Sequence, residues 1–312
     1  MTNRLHQRLL IPYLLIVLLP GCQPDTQQAT KPTQQGVLLT SPALLEMASA
    51  LLEQQESTRL VIPDVVTSRT WRPTRSAIEK LQRGRLLLLS GADWEPWLQQ
   101  VSLPQSRIRD VSDTFAHRLI HLPDVETHRH GGGGLHSHAG FVSHLWLSPA
   151  MLQQQLEATA QIIGRDFPEL KNQLQSRSSG LKQQLLQLSA DVDRIRDLAE
   201  TTSPVLITDG PEYEYLLRDL GWSAQRLHWP RGEEPTADDW LELQQILEQL
   251  PTDNIQVPLI LIHDQRAADT QVALKQKGCR IAKIDLCEKQ QSQKSVPERL
   301  RENLRRIEQA LQ

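Results

Sequence analysis

Five histidines lie within seventeen residues of this chain, and a run of four glycines separates the second histidine from the third. Imidazole is the commonest protein ligand for divalent transition metals, and glycines let several imidazoles converge on one ion without backbone strain. The spacing therefore predicts a metal-binding loop over residues 128–138. The loop histidines and the one that follows them are His128, His130, His136, His138 and His144.

The same cluster allows a weaker interpretation. A short His-rich tract is assigned by composition, and an isolated histidine is more often a surface group than a ligand. At neutral pH most imidazoles are unprotonated and can coordinate zinc, copper or nickel. We therefore expect some affinity for such ions, whereas a dedicated role in metal handling requires a fold that positions the donors.

The N-terminus predicts export and a lipid anchor. Arg4 and Arg8 precede an apolar run over residues 9–19, which has the length of a signal-peptide core and is too short to span a bilayer. Residues 19–22, Leu-Pro-Gly-Cys, resemble the bacterial lipoprotein signal, which implies lipidation of Cys22 and a membrane-anchored protein in the periplasm or on the cell surface. An ordinary secreted protein with a chance cysteine is the alternative. Residues 23–36 are polar and typical of a flexible tether.

Charge and motifs exclude two broad functional classes. The 34 basic and 37 acidic residues give a formal charge of -3, which produces no strong field for nucleic acid or anionic lipid. No nucleophile elbow, HExxH helix, phosphate-binding loop or dinucleotide glycine fingerprint occurs in the sequence. We therefore expect a protein that is not an enzyme and does not bind nucleic acid.

The two cysteines beyond the N-terminus are expected to be unpaired. Cys279 and Cys287 bracket an alternating stretch that predicts a strand. An extended chain of that length holds the sulfurs about 26 Å apart, which is far outside disulfide reach.

Alternating strand and helix signals predict an α/β fold whose parallel sheets are flanked by helices. The expected organisation is an N-terminal lobe over residues 37–168, a linking helix over 169–200 and a C-terminal lobe over 203–312. Ligands of such folds bind beyond the carboxyl ends of the strands. Strands are predicted at 37–39, 60–62, 86–89, 205–208, 257–262 and 281–286, and helices at 42–54, 73–82, 213–220, 238–250, 267–277 and 297–311.

The longest helical signal covers residues 170–199, where apolar side chains recur every three, four or seven positions. A continuous helix of this length measures roughly 45 Å. Gly180 lies within it and weakens it, so a break at that position is one expectation. The helix is either a rigid strut across both lobes or a coiled-coil dimerisation helix.

Residues 143–149, Ser-His-Leu-Trp-Leu-Ser-Pro, closely resemble a segment of the zinc-uptake solute-binding proteins, the extracytoplasmic receptors of metal ABC transporters. In that family a His-rich loop stands just ahead of this motif, the place that residues 128–138 occupy here. Residues 81–98 and 215–221 resemble further segments of the family. The resemblance implies a monomeric receptor with two α/β lobes joined by a long rigid helix, a metal ion in the cleft between the lobes, and a membrane permease as partner.

The resemblance also implies a set of metal ligands, from which this chain departs. His144 stands at a family ligand position, but the family's first histidine, expected near residue 67 or 68, is missing. Asp209 lies one position from the place of a later histidine. Asp264 matches the acidic ligand expected after a later buried strand, and His263 lies beside it.

An open zinc site normally has at least three protein donors. Two donors, His144 and Asp264, would hold zinc weakly unless Asp209, His263, Glu95 or a loop histidine completes the coordination shell. The loop then becomes the stronger candidate for metal capture.

Three functions therefore remain open. The first is a lipid-anchored receptor that delivers zinc, or manganese or another divalent transition metal, to an ABC permease. The second is a metal buffer or chaperone in which the loop binds the ion. The third is a degenerate family member that has lost metal transport.

Overall fold

The computed structural model describes residues 35–53, 57–62, 68, 70–122, 140–202, 204–250 and 257–312. Gln34–Gln312 form one compact unit. The lipidation prediction for Cys22 and the ligand predictions for His128, His130, His136 and His138 lie outside the described residues. Most of the predicted tether also lies outside them, but its last two residues belong to the first strand, which begins at Gln35.

The N-terminal lobe is built on a four-stranded parallel sheet with the order β2-β1-β3-β4. β3 carries the apolar run of the sequence and is covered on both faces, because Leu86 and Leu88 belong to one buried cluster and Leu87 and Leu89 to another. The elements are β1 (Gln35–Leu39), α1 (Pro42–Leu52), β2 (Thr58–Leu60), α2 (Arg75–Arg83), β3 (Gly84–Leu89), β4 (Ile108–Asp110), the antiparallel pair β5 (His121–Leu122) and β6 (Gly140–Phe141), and α3 (Pro149–Asp166).

The C-terminal lobe repeats this logic with a second parallel sheet, of order β10-β9-β7-β8. Its central strand β9 is fully buried, as the apolar run in the sequence predicts. The elements are β7 (Leu206–Thr208), α5 (Glu214–Leu220), β8 (Gln225–Arg226), α6 (Ala237–Glu248), β9 (Leu259–His263), α7 (Ala268–Gln276), β10 (Arg280–Ile284) and α8 (Val296–Leu311). The prediction of two lobes with parallel sheets and flanking helices is confirmed.

The long helix α4 (Leu174–Thr202) runs without a break through Gly180. Most of its predicted apolar positions, among them Leu185, Leu188 and Ile195, are fully buried, whereas Leu181 and Leu198 are partly buried. They pack against α3 and α8 of the same chain. The apolar seam that a coiled-coil partner would need is therefore covered within the chain, as expected for a strut.

Several elements have no counterpart in the sequence prediction. β4, β5, β6 and β8 have two or three residues each, too few to show an alternating pattern. The helix α3 buries Gln155 and Thr159 together with its apolar residues, so its apolar stripe is interrupted in the sequence. None of the described helices is long and apolar enough to cross a membrane.

The two predicted free thiols flank β10, and both Cys279 and Cys287 are free and buried. Burial raises the pKa of Cys279 to about 11 and that of Cys287 well above its usual value. Both sulfurs therefore stay protonated at neutral pH and are poor metal ligands.

Gly180 and Gly221 predict opposite responses to alanine. Gly180 is exposed inside α4 with open space around it, so G180A should stabilise the protein by about 0.5–1 kcal/mol. Gly221 ends α5 with a φ of 69°, so G221A should cost about 1–2 kcal/mol, although its Cβ would also meet no serious clash. Urea unfolding measures both changes, and equal effects of the two substitutions would contradict the assignment of Gly180 to a regular helix.

Candidate functional site

The loop after β6 and the segment after β10 meet where the two lobes face each other. His144 is 1% exposed, and its Nε2 lies 2.7 Å from Oε1 of Glu288. Two residues after His144, the indole N–H of Trp146 donates to the carbonyl of Leu286, two residues before Glu288, at 2.7 Å. The rings of Trp94 and Trp146 stand 5.4 and 5.3 Å from the imidazole and fix its orientation. The HLWLSP motif thus places one buried imidazole against a carboxylate of the other lobe.

Glu288 is also paired with a guanidinium. The two terminal nitrogens of Arg231 each donate to one carboxylate oxygen of Glu288 at 2.8 Å, the bidentate geometry that makes such pairs strong. Arg231 also lies 3.6 Å from Glu212. Burial alone would raise the pKa of Glu288, but the hydrogen bond from His144 and the charge of Arg231 outweigh it and hold this pKa well below its usual range. Glu288 is therefore ionised and neutralised by Arg231.

Asp209, predicted as a ligand, forms a second buried ion pair. Its Oδ2 lies 2.8 Å from a terminal nitrogen of Arg266, and both side chains are 2% exposed. The hydroxyl of Tyr213 donates to its Oδ1 at 2.7 Å. Both carboxylate oxygens are thus engaged, and the structure places Asp209 in a structural contact within the C-terminal lobe.

His263 and Asp264 follow Asp209 around the end of the same sheet and border a cavity of about 640 Å³. His263 is buried, its Nε2 has no hydrogen-bond partner among the described residues, and burial lowers its pKa, so the ring is neutral at pH 7. Burial, with the nearby charge of Asp285, raises the pKa of Asp264. The carboxylate that contacts His144 is Glu288 rather than Asp264. The assignment of Asp264 as a ligand stays a prediction.

Glu95, the other carboxylate considered from the sequence, is occupied within the N-terminal lobe. It accepts hydrogen bonds from the hydroxyl of Thr40 and from the backbone N–H groups of Ser90 and Gly91. Burial raises its pKa to about 8 despite these donors. It caps the carboxyl ends of β1 and β3, one residue from the Trp94 ring that contacts His144.

The described part of the chain contains no group of three histidine, cysteine, aspartate or glutamate side chains arranged to hold a metal ion. Of the predicted ligands, His144 lies at the junction of the lobes, and His263 and Asp264 border the adjacent cavity. Asp209 lies inside the C-terminal lobe, paired with Arg266. Sequence reasoning missed Glu288 and Arg231. A usable signal existed for Glu288, because it lies two residues beyond the carboxyl end of a predicted strand, where ligand sites of α/β folds collect. Arg231 lies in an irregular loop and gave no comparable signal.

Comparison with known proteins places this geometry in context. The family model described as zinc-uptake complex component A, periplasmic, matches residues 37–310. The zinc-binding lipoprotein AdcA of Streptococcus pneumoniae is 20% identical over 215 residues, which cover 68% of this chain and 42% of that protein. The match thus spans less than half the length of this relative.

Solved structures share the fold. The periplasmic zinc-binding protein TroA of Treponema pallidum superposes with a TM-score of 0.68 and 19% identity, covering 89% of this chain and 99% of TroA. The solute-binding protein FpvC of Pseudomonas aeruginosa, solved with Mn²⁺, has a TM-score of 0.68 and 17% identity, covering 88% of this chain and 99% of FpvC. At these identities the likeness establishes the two-lobed fold.

The buried pair of Asp209 and Arg266 predicts a strong dependence of stability on the carboxylate charge. D209N leaves the Arg266 guanidinium buried without its counter-ion, which should cost about 3–5 kcal/mol in urea unfolding at pH 7. The control is E79Q, which breaks two surface ion pairs of Glu79, with Arg75 and Arg83, and should change stability by less than about 1 kcal/mol. A D209N effect as small as that of E79Q would rule out the structural role.

Glu95 predicts a pH dependence of stability. Because its pKa is raised from 4.5 to about 8, the folded protein binds a proton that the unfolded chain releases, so Glu95 destabilises the fold progressively as pH rises from about 4.5 to about 8. The loss should be on the order of a few kcal/mol. Urea unfolding from pH 5 to 8.5 should show a smaller decline for E95Q than for the wild type, while E79Q keeps the wild-type decline. Identical pH profiles for E95Q and the wild type would contradict the raised pKa.

Proposed function

We propose, from the premise that this chain belongs to the zinc-uptake complex component A periplasmic family, that it is an extracytoplasmic solute-binding protein that captures a divalent transition-metal ion. Zinc is the expected cargo, since the AdcA relative carries a zinc-binding name. Manganese is the second candidate, because the FpvC structure contains Mn²⁺. The recipient would be the membrane permease of an ABC transporter, and lipidated Cys22 would hold the receptor at the membrane.

One contact carries this proposal. His144 and Glu288 approach within 2.7 Å from opposite lobes in a buried position. An imidazole and a carboxylate are both zinc donors, and an ion placed between them would replace the proton that they share. The neutral ring of His263, whose Nε2 has no partner among the described residues, borders the neighbouring cavity and could add a third donor after a side-chain rotation.

A second candidate function, a metal buffer or chaperone in which the His-rich loop is the principal binder, is favoured by a different observation. Arg231 pairs with Glu288, and Arg266 pairs with Asp209, so two of the candidate carboxylates already have cationic partners. Divalent ions would meet little net negative charge in the cleft. The sequence places few cationic neighbours beside the loop histidines, because Arg129 is the only basic residue between 128 and 138. These histidines are His128, His130, His136 and His138.

Zinc binding to residues 23–312 distinguishes the two functions. The proteins compared are the wild type, H144A, a loop variant in which the four loop histidines become glutamine, and the control H228A, whose histidine pairs with Glu242 on the C-terminal lobe surface. The receptor proposal expects H144A to weaken binding by about tenfold or more, since one of few donors is lost. Competition with a chromophoric chelator at pH 7.5 gives the dissociation constants.

The pattern of zinc binding shows whether the cleft or the loop holds the ion. If H144A loses zinc binding and the loop variant keeps it, the ion is captured in the cleft. If the loop variant loses zinc binding and H144A keeps it, the buffer function is supported. Full zinc binding in both variants overturns the assignment of His144 and of the loop. If the metal-replete wild type binds no zinc or manganese, the receptor and buffer proposals both fail.

A further inference from the structure

Arg231 contacts two carboxylates, Glu288 and Glu212. Its guanidinium takes both oxygens of Glu288 at 2.8 Å and reaches Glu212 at 3.6 Å. Both carboxylate side chains are buried, with exposed fractions of 8% for Glu288 and 9% for Glu212. One side chain thus supplies the cation that two desolvated carboxylates require.

The fold is arranged so that both carboxylates reach this guanidinium. Gly210 precedes Glu212 by two residues, and a Cβ at Gly210 would meet the Glu212 carboxylate. Glycine therefore leaves the carboxylate in its observed position, whereas a larger residue would make it shift. Burial would lower the pKa of Arg231, but the charges of Glu288 and Glu212 outweigh it and raise this pKa, so the guanidinium is permanently charged.

Arg266 fixes the backbone of the loop that carries Arg231. One terminal nitrogen of Arg266 donates to the carbonyls of Pro230 and Glu233 at 2.9 and 3.0 Å, on either side of Arg231 and Gly232. Arg266 is itself fixed by Asp209. Asp209, a position at which the sequence suggested a metal ligand, thus positions the loop that presents Arg231.

The side chain of Arg231 is nevertheless reached from solvent. It is 33% exposed, borders the cavity of about 640 Å³, and is followed by Gly232, which has a φ of 75° and no atom within 4 Å of an added Cβ. Arg266 fixes the loop backbone at Pro230 and Glu233 without holding the guanidinium. Arg231 can therefore move into the cavity while the backbone of its loop stays in place.

We infer that Arg231 is a built-in competitor of the cargo cation and sets the affinity and selectivity of the cleft. A metal ion reaches Glu288 and Glu212 only by displacing the guanidinium, and this inference rests on the proposed metal-receptor function. An ion such as Mg²⁺ or Ca²⁺, which prefers oxygen ligands, gains little from His144 and competes poorly. An ion that also binds imidazole gains the extra ligand and competes successfully.

Zinc affinity of charge-changing variants tests this inference. The measurements use residues 23–312 carrying the four loop-histidine-to-glutamine changes, so that a loop site does not mask the cleft. R231Q should bind zinc about tenfold or more tightly than its parent, because a positive charge beside the carboxylates typically shifts their affinity for a cation by at least that factor. R226Q is the matched control, since Arg226 forms a similarly exposed pair with Glu214 at 2.9 Å, and it should leave zinc affinity unchanged.

A second variant keeps the test decisive if R231Q does not fold. R231K keeps the charge but loses the two-pronged contact, so it should bind zinc a few-fold more tightly than the parent. Circular dichroism establishes that each variant is folded. Calcium provides a selectivity readout: R231Q should gain calcium binding that the parent lacks.

The outcomes separate this inference from the proposed function. Zinc binding by the parent that is equal in R231Q, R231K and R226Q overturns the role of Arg231 and leaves the receptor function standing. Zinc binding by none of the four proteins overturns capture in the cleft, and the role of Arg231 fails with it. Tighter binding in R231Q, or in R231K where only it folds, with no change in R226Q, supports the inference.

Discussion

A carboxylate removed from water must be given a cation or lose its charge, and this requirement organises the junction between the lobes. Asp209 and Glu288 are both buried, and each has acquired an arginine. The cost of burying such ions is several kcal/mol each, and only well-placed partners offset it. The loop between β8 and α6 serves both pairs, because Arg266 donates hydrogen bonds to its carbonyls and Arg231 extends from it to Glu288.

If the proposed receptor function holds, the same arrangement determines which ions the cleft binds. A cavity lined by ionised carboxylates without partners would attract any divalent cation, whereas here the negative charge is already balanced. Affinity for a metal then equals the energy of coordination less the cost of separating Arg231 from Glu288. That difference is favourable only for ions that gain from the imidazole of His144 as well as from the carboxylate. A receptor built in this way trades affinity for discrimination.

Much of the fold was predictable from the sequence, because it depends on local periodicity. The apolar runs that became β3 and β9 and the seam of α4 are short-range patterns that each segment displays alone. The helix α3 was not predictable in this way, because it buries the polar side chain of Gln155. The amide of Gln155 donates to the hydroxyl of Ser90, which lies 65 residues away in the sequence. Two-residue strands such as β8 exist only because neighbouring strands extend the sheet to them.

The candidate site was less predictable, because its contacts join distant parts of the chain. His144 was found through a motif, but its partner Glu288 lies 144 residues away and has no motif of its own. Asp209 has a residue type that suits a metal ligand, and only the structure reveals that Arg266 and Tyr213 occupy both of its oxygens. Residue type indicates which chemistry a position can perform, while the partners in space decide whether it is free to perform it.

The two arginines differ in burial and in the groups that they hold. Arg266 is 2% exposed and holds loop carbonyls as well as Asp209, so its removal would leave several buried groups without partners. Arg231 is 33% exposed and borders a cavity. Displacing Arg231 would free a partly exposed guanidinium into the cavity, and the incoming ion would take over its charge. Arg266 thus preserves the architecture, and in the proposed receptor Arg231 occupies the place that the metal ion would take.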